Sequence, residues 1–280
     1  MRTIDVGDVI EIVAEMVKEI NYHLPEDVYH RLEAMGPLES SLTGKHILRE
    51  LLKNADLASQ KEVPICQDTG MVVAFVEVGQ EVKLEGGLLT DAINAGVRKG
   101  YEEGFLRKSV VGNPLERVNT KDNTPAIIYY DLVEGDQIKI ELGAKGFGSE
   151  NMSRSKMLKP SDGRAGVIDF VKETVSLAGP NPCPPIVVGV GIGGTLDKAA
   201  QIAKKALLRP IGQHHSEASV ILLEEELLEG INKLGIGPQG LGGNTTALWV
   251  NVEMYPTHIA GLPVVVNINC HASRHAKRVI

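Results

Sequence analysis

Three cysteines in 280 residues are too few for a disulfide framework, and the odd count always leaves one thiol over. Cys66, Cys183 and Cys270 stand 117 and 87 residues apart, which excludes a local C-x-x-C zinc knuckle, so any site they share is assembled by the fold. Aromatic residues make up only 4% of the chain, with a single Trp, and the core must therefore be aliphatic. No uninterrupted apolar run reaches the roughly 18 residues of a membrane span. Basic residues form no stripe and the formal net charge is −7, which argues against a nucleic-acid partner. The start, Met1-Arg2-Thr3-Ile4-Asp5, lacks the charged-then-apolar layout of a signal peptide. A cytoplasmic protein with reduced thiols is expected.

What is present is an ordinary globular composition: 43% apolar, 23% charged, with 30 Gly and 14 Pro to build turns. Val9, Ile10, Ile12, Val13, Met16, Val17 and Ile20 recur near helical spacing, and Ile47, Leu48, Leu51, Leu52 and Leu57 mark a later helix. Further helices are predicted over 88–103, 164–178, 195–208 and 222–234. Strands are predicted over 71–78, 186–190, 247–252 and 263–268, with an apolar hairpin over 126–142 that turns at Glu134-Gly135-Asp136. Hairpins beside helix-alternating strands imply an α+β (mixed α/β) class, read as one large domain over 1–280 with a helical N-terminal layer and mixed sheets.

Gly189-Val190-Gly191-Ile192-Gly193-Gly194 satisfies the G-x-G-x-x-G dinucleotide pattern between a strand and a helix. The acidic residue that pattern wants about 20 positions on is missing, and Ile211-Gly212-Gln213-His214-His215 stands there instead. A tight strand-to-helix turn is the plainer reading, and a further one is that its bare backbone N–H groups meet an anionic substrate or a cluster sulfide. His214 and His215, adjacent on one element, point different ways and do not make a metal pair.

Each cysteine lies among turn-making residues and not in an apolar run: Pro64-Ile65-Cys66-Gln67-Asp68-Thr69-Gly70, Gly179-Pro180-Asn181-Pro182-Cys183-Pro184-Pro185 and Asn267-Ile268-Asn269-Cys270-His271. Buried hydrophobe, reactive thiol and ligand all remain open for them. If the three converged, they would be one short of the four thiolates that saturate a 4Fe–4S cluster, leaving an iron open to act as a Lewis acid.

These stretches, with Asn119-Thr120-Lys121-Asp122-Asn123-Thr124-Pro125-Ala126, Ala144-Lys145-Gly146-Phe147-Gly148-Ser149-Glu150-Asn151, Gly189 to Lys198 and Tyr255 to Pro263, resemble the iron–sulfur-dependent (class I) fumarate hydratases and the related tartrate dehydratases. The likeness covers nearly the whole chain. It implies a hydro-lyase with Cys66, Cys183 and Cys270 as ligands of a 4Fe–4S cluster in a cleft, one iron lacking a protein ligand. It implies Asp68 and His258 in proton transfer, and Gln67, Arg107, Gly146 and Gly148 in binding a small dicarboxylate. On their own residues, Asp68 also reads as a turn former before Thr-Gly, Arg107 as a surface arginine and His258 as a structural histidine.

Single-chain members of that family continue into a second domain, so the likeness is to the α subunit of the two-subunit form. It implies a separate β subunit, α–α self-association, and hydration of fumarate to L-malate. L-Tartrate dehydration is the same chemistry on another substrate, and a closed iron–sulfur or zinc scaffold is the non-catalytic alternative. Lys204, Lys205, Arg274, Lys277 and Arg278 read as solvated charge or subunit contacts.

Overall fold

A computed structural model describes residues 1–280. The elements, in chain order, are β1 (Arg2–Asp5), α1 (Val6–Tyr22), α2 (Glu26–Leu38), α3 (Leu42–Lys61), β2 (Met71–Gly79), β3 (Val82–Glu85), α4 (Leu89–Glu103), β4 (Ile127–Val133) and β5 (Ile138–Lys145). They continue with α5 (Phe147–Glu150), β6 (Arg154–Leu158), α6 (Gly163–Ala178), β7 (Ile186–Gly193), α7 (Leu196–Ala206), α8 (Ala218–Asn232), β8 (Ala247–Tyr255), β9 (Leu262–Asn269) and β10 (His275–Val279). The α+β class holds, and the predicted long helices and strands all form. No helix is long and apolar enough to cross a membrane.

Contacts divide the chain into two compact units, one made of Met1–Pro25, Ala55–Phe147 and Arg274–Ile280, the other of Glu26–Asn54 and Gly148–Ser273. Each has its own aliphatic core.

In the first unit the sheet order is β10-β5-β2-β4. Asp5 caps α1 by accepting the Gly7 N–H at 2.7 Å, and the apolar stripe of Val9, Val13, Met16, Val17 and Ile20 is buried. Against it lies α4, drawn close by Gly96, where a Cβ would stand 2.7 Å from the Ile10 carbonyl oxygen. One prediction fails here: β4 and β5 do not form a hairpin. Strand β2 runs between them, parallel to β4 and antiparallel to β5. Its five consecutive buried residues Val72 to Val76 want neighbours on both edges, whereas the largely exposed β4 suits a sheet edge.

In the second unit the order is β6-β9-β7-β8, with β7 buried along its whole length. Val188 and Val190 pack with α6 and α8 in one cluster. Gly189 and Gly191 face α7, where a Cβ would fall 2.2 Å from the Ala203 carbonyl oxygen and 2.0 Å from that of Ala199. Gly189 and Gly191 thus admit a helix against a strand, while Gly193 and Gly194, at φ +94° and +66°, make the turn from β7 into α7.

Candidate functional site

The Cys66 segment connects α3 to β2 and is held from several directions within the first unit. Gly70 adopts φ +76°, and a Cβ there would lie 2.9 Å from the backbone of Lys145, so only glycine fits the turn. Asp68 accepts the Gly70 N–H through Oδ1 at 3.1 Å and the Phe147 N–H through Oδ2 at 2.8 Å. Its own N–H points at Cys66 Sγ at 3.4 Å. The Gln67 side chain is exposed, with Oε1 3.6 Å from the same sulfur.

Three further groups fix this loop. Buried Tyr101 donates its hydroxyl to the carbonyls of Thr69 and Gly70 at 2.7 and 3.1 Å. Asn123 gives its amide N–H to the Gly70 carbonyl at 3.1 Å, while its Oδ1 accepts the N–H of Ser109 at 2.7 Å. The Thr69 hydroxyl donates to the backbone carbonyl of Arg107 at 2.6 Å. Arg107 is exposed, so its backbone is tied to the Cys66 loop while its guanidinium is open to solvent.

Gly146 is buried beside the same loop, where a Cβ would stand 3.1 Å from Asp68 Oδ2 and 3.5 Å from Arg274 Nη2. Arg274 corrects the reading of solvated charge: it is 2% exposed, and Nη1 donates to Asn21 Oδ1 at 3.0 Å. Burial and a neutral partner 253 residues away in sequence leave no local trace by which to recognise it. Lys204 is also half-buried, bound to Glu150 at 2.5 Å.

Cys183 and Cys270 belong to the second unit. Cys183 is exposed, has φ +54° and donates its N–H to the Pro180 carbonyl at 3.0 Å. His271, next to Cys270, places Nδ1 3.0 Å from the Cys183 carbonyl oxygen and its N–H 3.4 Å from the same atom. The two cysteine loops are therefore joined. Gly148 is exposed, and the nearest atom to a Cβ there is the Asn181 carbonyl oxygen of the Cys183 loop at 3.9 Å. His258 sits on the exposed loop between β8 and β9, its Nδ1 accepting the Ala260 N–H at 3.2 Å, and the same loop reaches the glycine turn through Thr257, whose hydroxyl donates to the Gly194 carbonyl at 2.9 Å.

His214 and His215 do diverge: Nδ1 of the first lies 3.6 Å from Glu224, and Nε2 of the second 3.9 Å from Glu253. Within either unit, no three His, Cys, Asp and Glu side chains gather at metal-ligand spacing. The thiols fit a thiolate-held group in chemistry: none of the three is in a disulfide, all are at least partly exposed, and Cys66 is hydrogen-bonded by a backbone N–H. Tyr101, Asn123, Gln239 and His271 escaped the motif reading. Of these, Asn123 and His271 lay inside quoted stretches.

Cys66, in no disulfide and on a loop shaped by Pro64 and Gly70 beside the oriented Asp68 carboxylate, has the chemistry of a soft ligand and not of a nucleotide cradle. Comparison with known proteins makes the class specific. Residues 10–279 match the family described as fumarate hydratase (Fumerase). A Methanocaldococcus jannaschii protein, provisionally named L(+)-tartrate dehydratase subunit alpha, is 47% identical over 276 residues, 96% of each chain. The L(+)-tartrate dehydratase subunit alpha of Escherichia coli O157:H7 is 36% identical over 282 residues, covering 98% of this chain and 91% of its own. The chain belongs to the fumarate hydratase (Fumerase) family and is built like the α-type subunits of these hydro-lyases.

Proposed function

We propose that the chain is the cluster-bearing α subunit of an iron–sulfur fumarate hydratase, adding water reversibly to fumarate to give L-malate together with a separate β subunit. The observation that carries the reading is the joining of the Cys183 and Cys270 loops through the His271 N–H and the Cys183 carbonyl, with no cysteine in a disulfide, in a chain of this family. Cys66, Cys183 and Cys270 hold a 4Fe–4S cluster as its three thiolate ligands. When bound, the cluster supplies an iron without a protein ligand, a Lewis acid for hydration without redox change.

The side chains of this subunit do the rest. Arg107 offers a planar fork of donors to a substrate carboxylate, and its exposure leaves that fork free to meet one. Gln67 adds an amide donor beside Cys66, and Gly146 and Gly148 keep side chains out of the way of a dicarboxylate. Asp68, oriented by the N–H groups of Gly70 and Phe147, positions water and relays a proton. His258 shares that proton transfer from its loop, and the β subunit contributes the principal base. Subunits of this chain self-associate as well as binding the β chain, and the naming of the relatives as alpha subunits supports the β partner.

L-Tartrate dehydration is the second reading, favoured by the names of the relatives at 47% and 36% identity. Anaerobic iron and sulfide analysis, with EPR after one-electron reduction and with fumarate, malate or tartrate added, tests the first claim. Near four irons and a substrate-perturbed signal are expected, whereas a metal with four protein ligands would leave a closed scaffold. Steady-state rates of the reconstituted αβ pair on the three substrates then decide between fumarate and tartrate.

A further inference from the structure

Gln239 lies in Gly235-Ile236-Gly237-Pro238-Gln239-Gly240-Leu241-Gly242-Gly243, where glycine is the rule. Its own φ is +52°, a conformation glycine adopts without strain and glutamine does not. A strained non-glycine residue in a glycine loop points to a task for its side chain.

That task is visible in its partners. The Gln239 backbone N–H and side-chain Nε2 both donate to the Pro184 carbonyl at 2.8 Å, directly after Cys183. The same Nε2 lies 3.2 Å from Nδ1 of His271, directly after Cys270, and donates to it in the tautomer protonated at Nε2, the backbone N–H of His271 then carrying the bond to the Cys183 carbonyl. On the other side of Cys183, Gly240 packs so closely on Pro180 that a Cβ would stand 2.3 Å from that ring. The loop is itself anchored: buried Glu39 accepts the N–H groups of Asn244 at 3.1 Å and Thr245 at 2.8 Å. A chain of hydrogen bonds thus runs from Glu39 through the glycine loop to both cysteine segments, all within one unit.

We infer that Gln239 is a positioning residue whose amide clamps the Cys183 loop to the Cys270 segment and so holds two of the thiolate ligands in place for the cluster. The inference rests on the cluster reading above. Partners of this kind, one step out from the ligands, typically alter metal retention by about 10- to 100-fold when removed.

The test compares the wild-type chain with Gln239→Ala and Gln239→Glu, the latter keeping the length of the side chain while turning its donor into an acceptor facing the Pro184 carbonyl. All are reconstituted anaerobically with iron and sulfide, then followed by absorbance and iron analysis during exposure to air, beside thermal melts of the apo chains. Expected are near-complete loading of the wild type, cluster loss about tenfold faster or more in both variants, and apo melting temperatures close to wild type. Equal loss rates, or apo melts lowered in step with cluster loss, overturn the clamp. A wild-type chain that takes up no iron overturns the proposed function itself, an outcome distinct from a loaded wild type with indifferent variants.

Discussion

The hydroxyl of Tyr101, on α4, donates to the carbonyl of Thr69 at 2.7 Å, binding a fully buried ring to the turn that follows Cys66. The second carbonyl it reaches, that of Gly70, also receives an N–H from Asn123, so removal of the phenol strands only one acceptor. Tyr101→Phe is expected to cost about 1–2 kcal/mol in urea unfolding at neutral pH. Burial lifts the Tyr101 pKa from 10.0 to about 12, outweighing nearby Arg274 and the bond to Thr69. A raised pKa stabilises below 10 and is lost as pH climbs towards 12, an effect of about 3 kcal/mol in the wild type that the Phe variant should not show.

Glu39 carries the opposite sign. Burial alone would raise its pKa, but hydrogen bonds from Thr245, Ser41 and Asn244 hold it below the ordinary 4.5. Its contribution is present above pH 4.5 and disappears as pH falls through the depressed value. Glu39→Ala leaves the Ser41, Asn244 and Thr245 N–H groups without their acceptor and is expected to cost about 2–4 kcal/mol at pH 7. Denaturant titrations at pH 7 and pH 4 check this: the wild-type advantage should shrink at the lower pH, and a constant difference would refute the assignment.

The elements legible in the sequence are those that bury a face over several turns or a run of residues. α1 announces itself through Val9, Val13 and Val17, and β7 through Ile186 to Val190. The short strands β1, β3, β6 and β10 span four or five residues each, too few for a period to register. The hairpin prediction failed because adjacency in sequence says nothing about β2, which occupies the gap between β4 and β5. At the candidate site, turn formers set the segments of the cysteines and Asp68 apart from apolar runs, and the roles proposed for them came from the family resemblance. Tyr101, Gln239 and Arg274 were not legible, since each acts through partners at least 31 residues distant, and one buried Tyr or Arg looks like any other in a string.

Gly191 provides a test of the glycine pattern that is independent of any ligand. In a dinucleotide site its substitution would mainly weaken phosphate binding, but here a Cβ would fall 2.0 Å from the Ala199 carbonyl oxygen, in the middle of α7. Backbone cannot rotate away as a side chain can, so the helix must lift from β7. Gly191→Ala is expected to destabilise by about 3 kcal/mol or more, measured as a lowered urea midpoint, in a chain that shows no saturable NAD binding before or after the change.

A change at Arg107 can tell the proposed substrate binding apart from the proposed cluster retention. Its carbonyl, not its guanidinium, holds the Thr69 hydroxyl, so a change confined to the side chain leaves the support of the Cys66 loop in place. If the guanidinium pairs with a substrate carboxylate through two parallel bonds, lysine keeps the charge but loses the fork, and methionine loses both. In the loaded αβ enzyme, Arg107→Lys should raise KM for fumarate about tenfold and Arg107→Met about a hundredfold, which corresponds to the roughly 1.5–3 kcal/mol of a charged hydrogen bond. Iron content and unfolding midpoint should remain at the wild-type level in both. Steady-state kinetics beside iron analysis decide the matter: an unchanged KM would remove Arg107 from the binding site, and a parallel fall in iron content would make it a support for the cysteine loop instead.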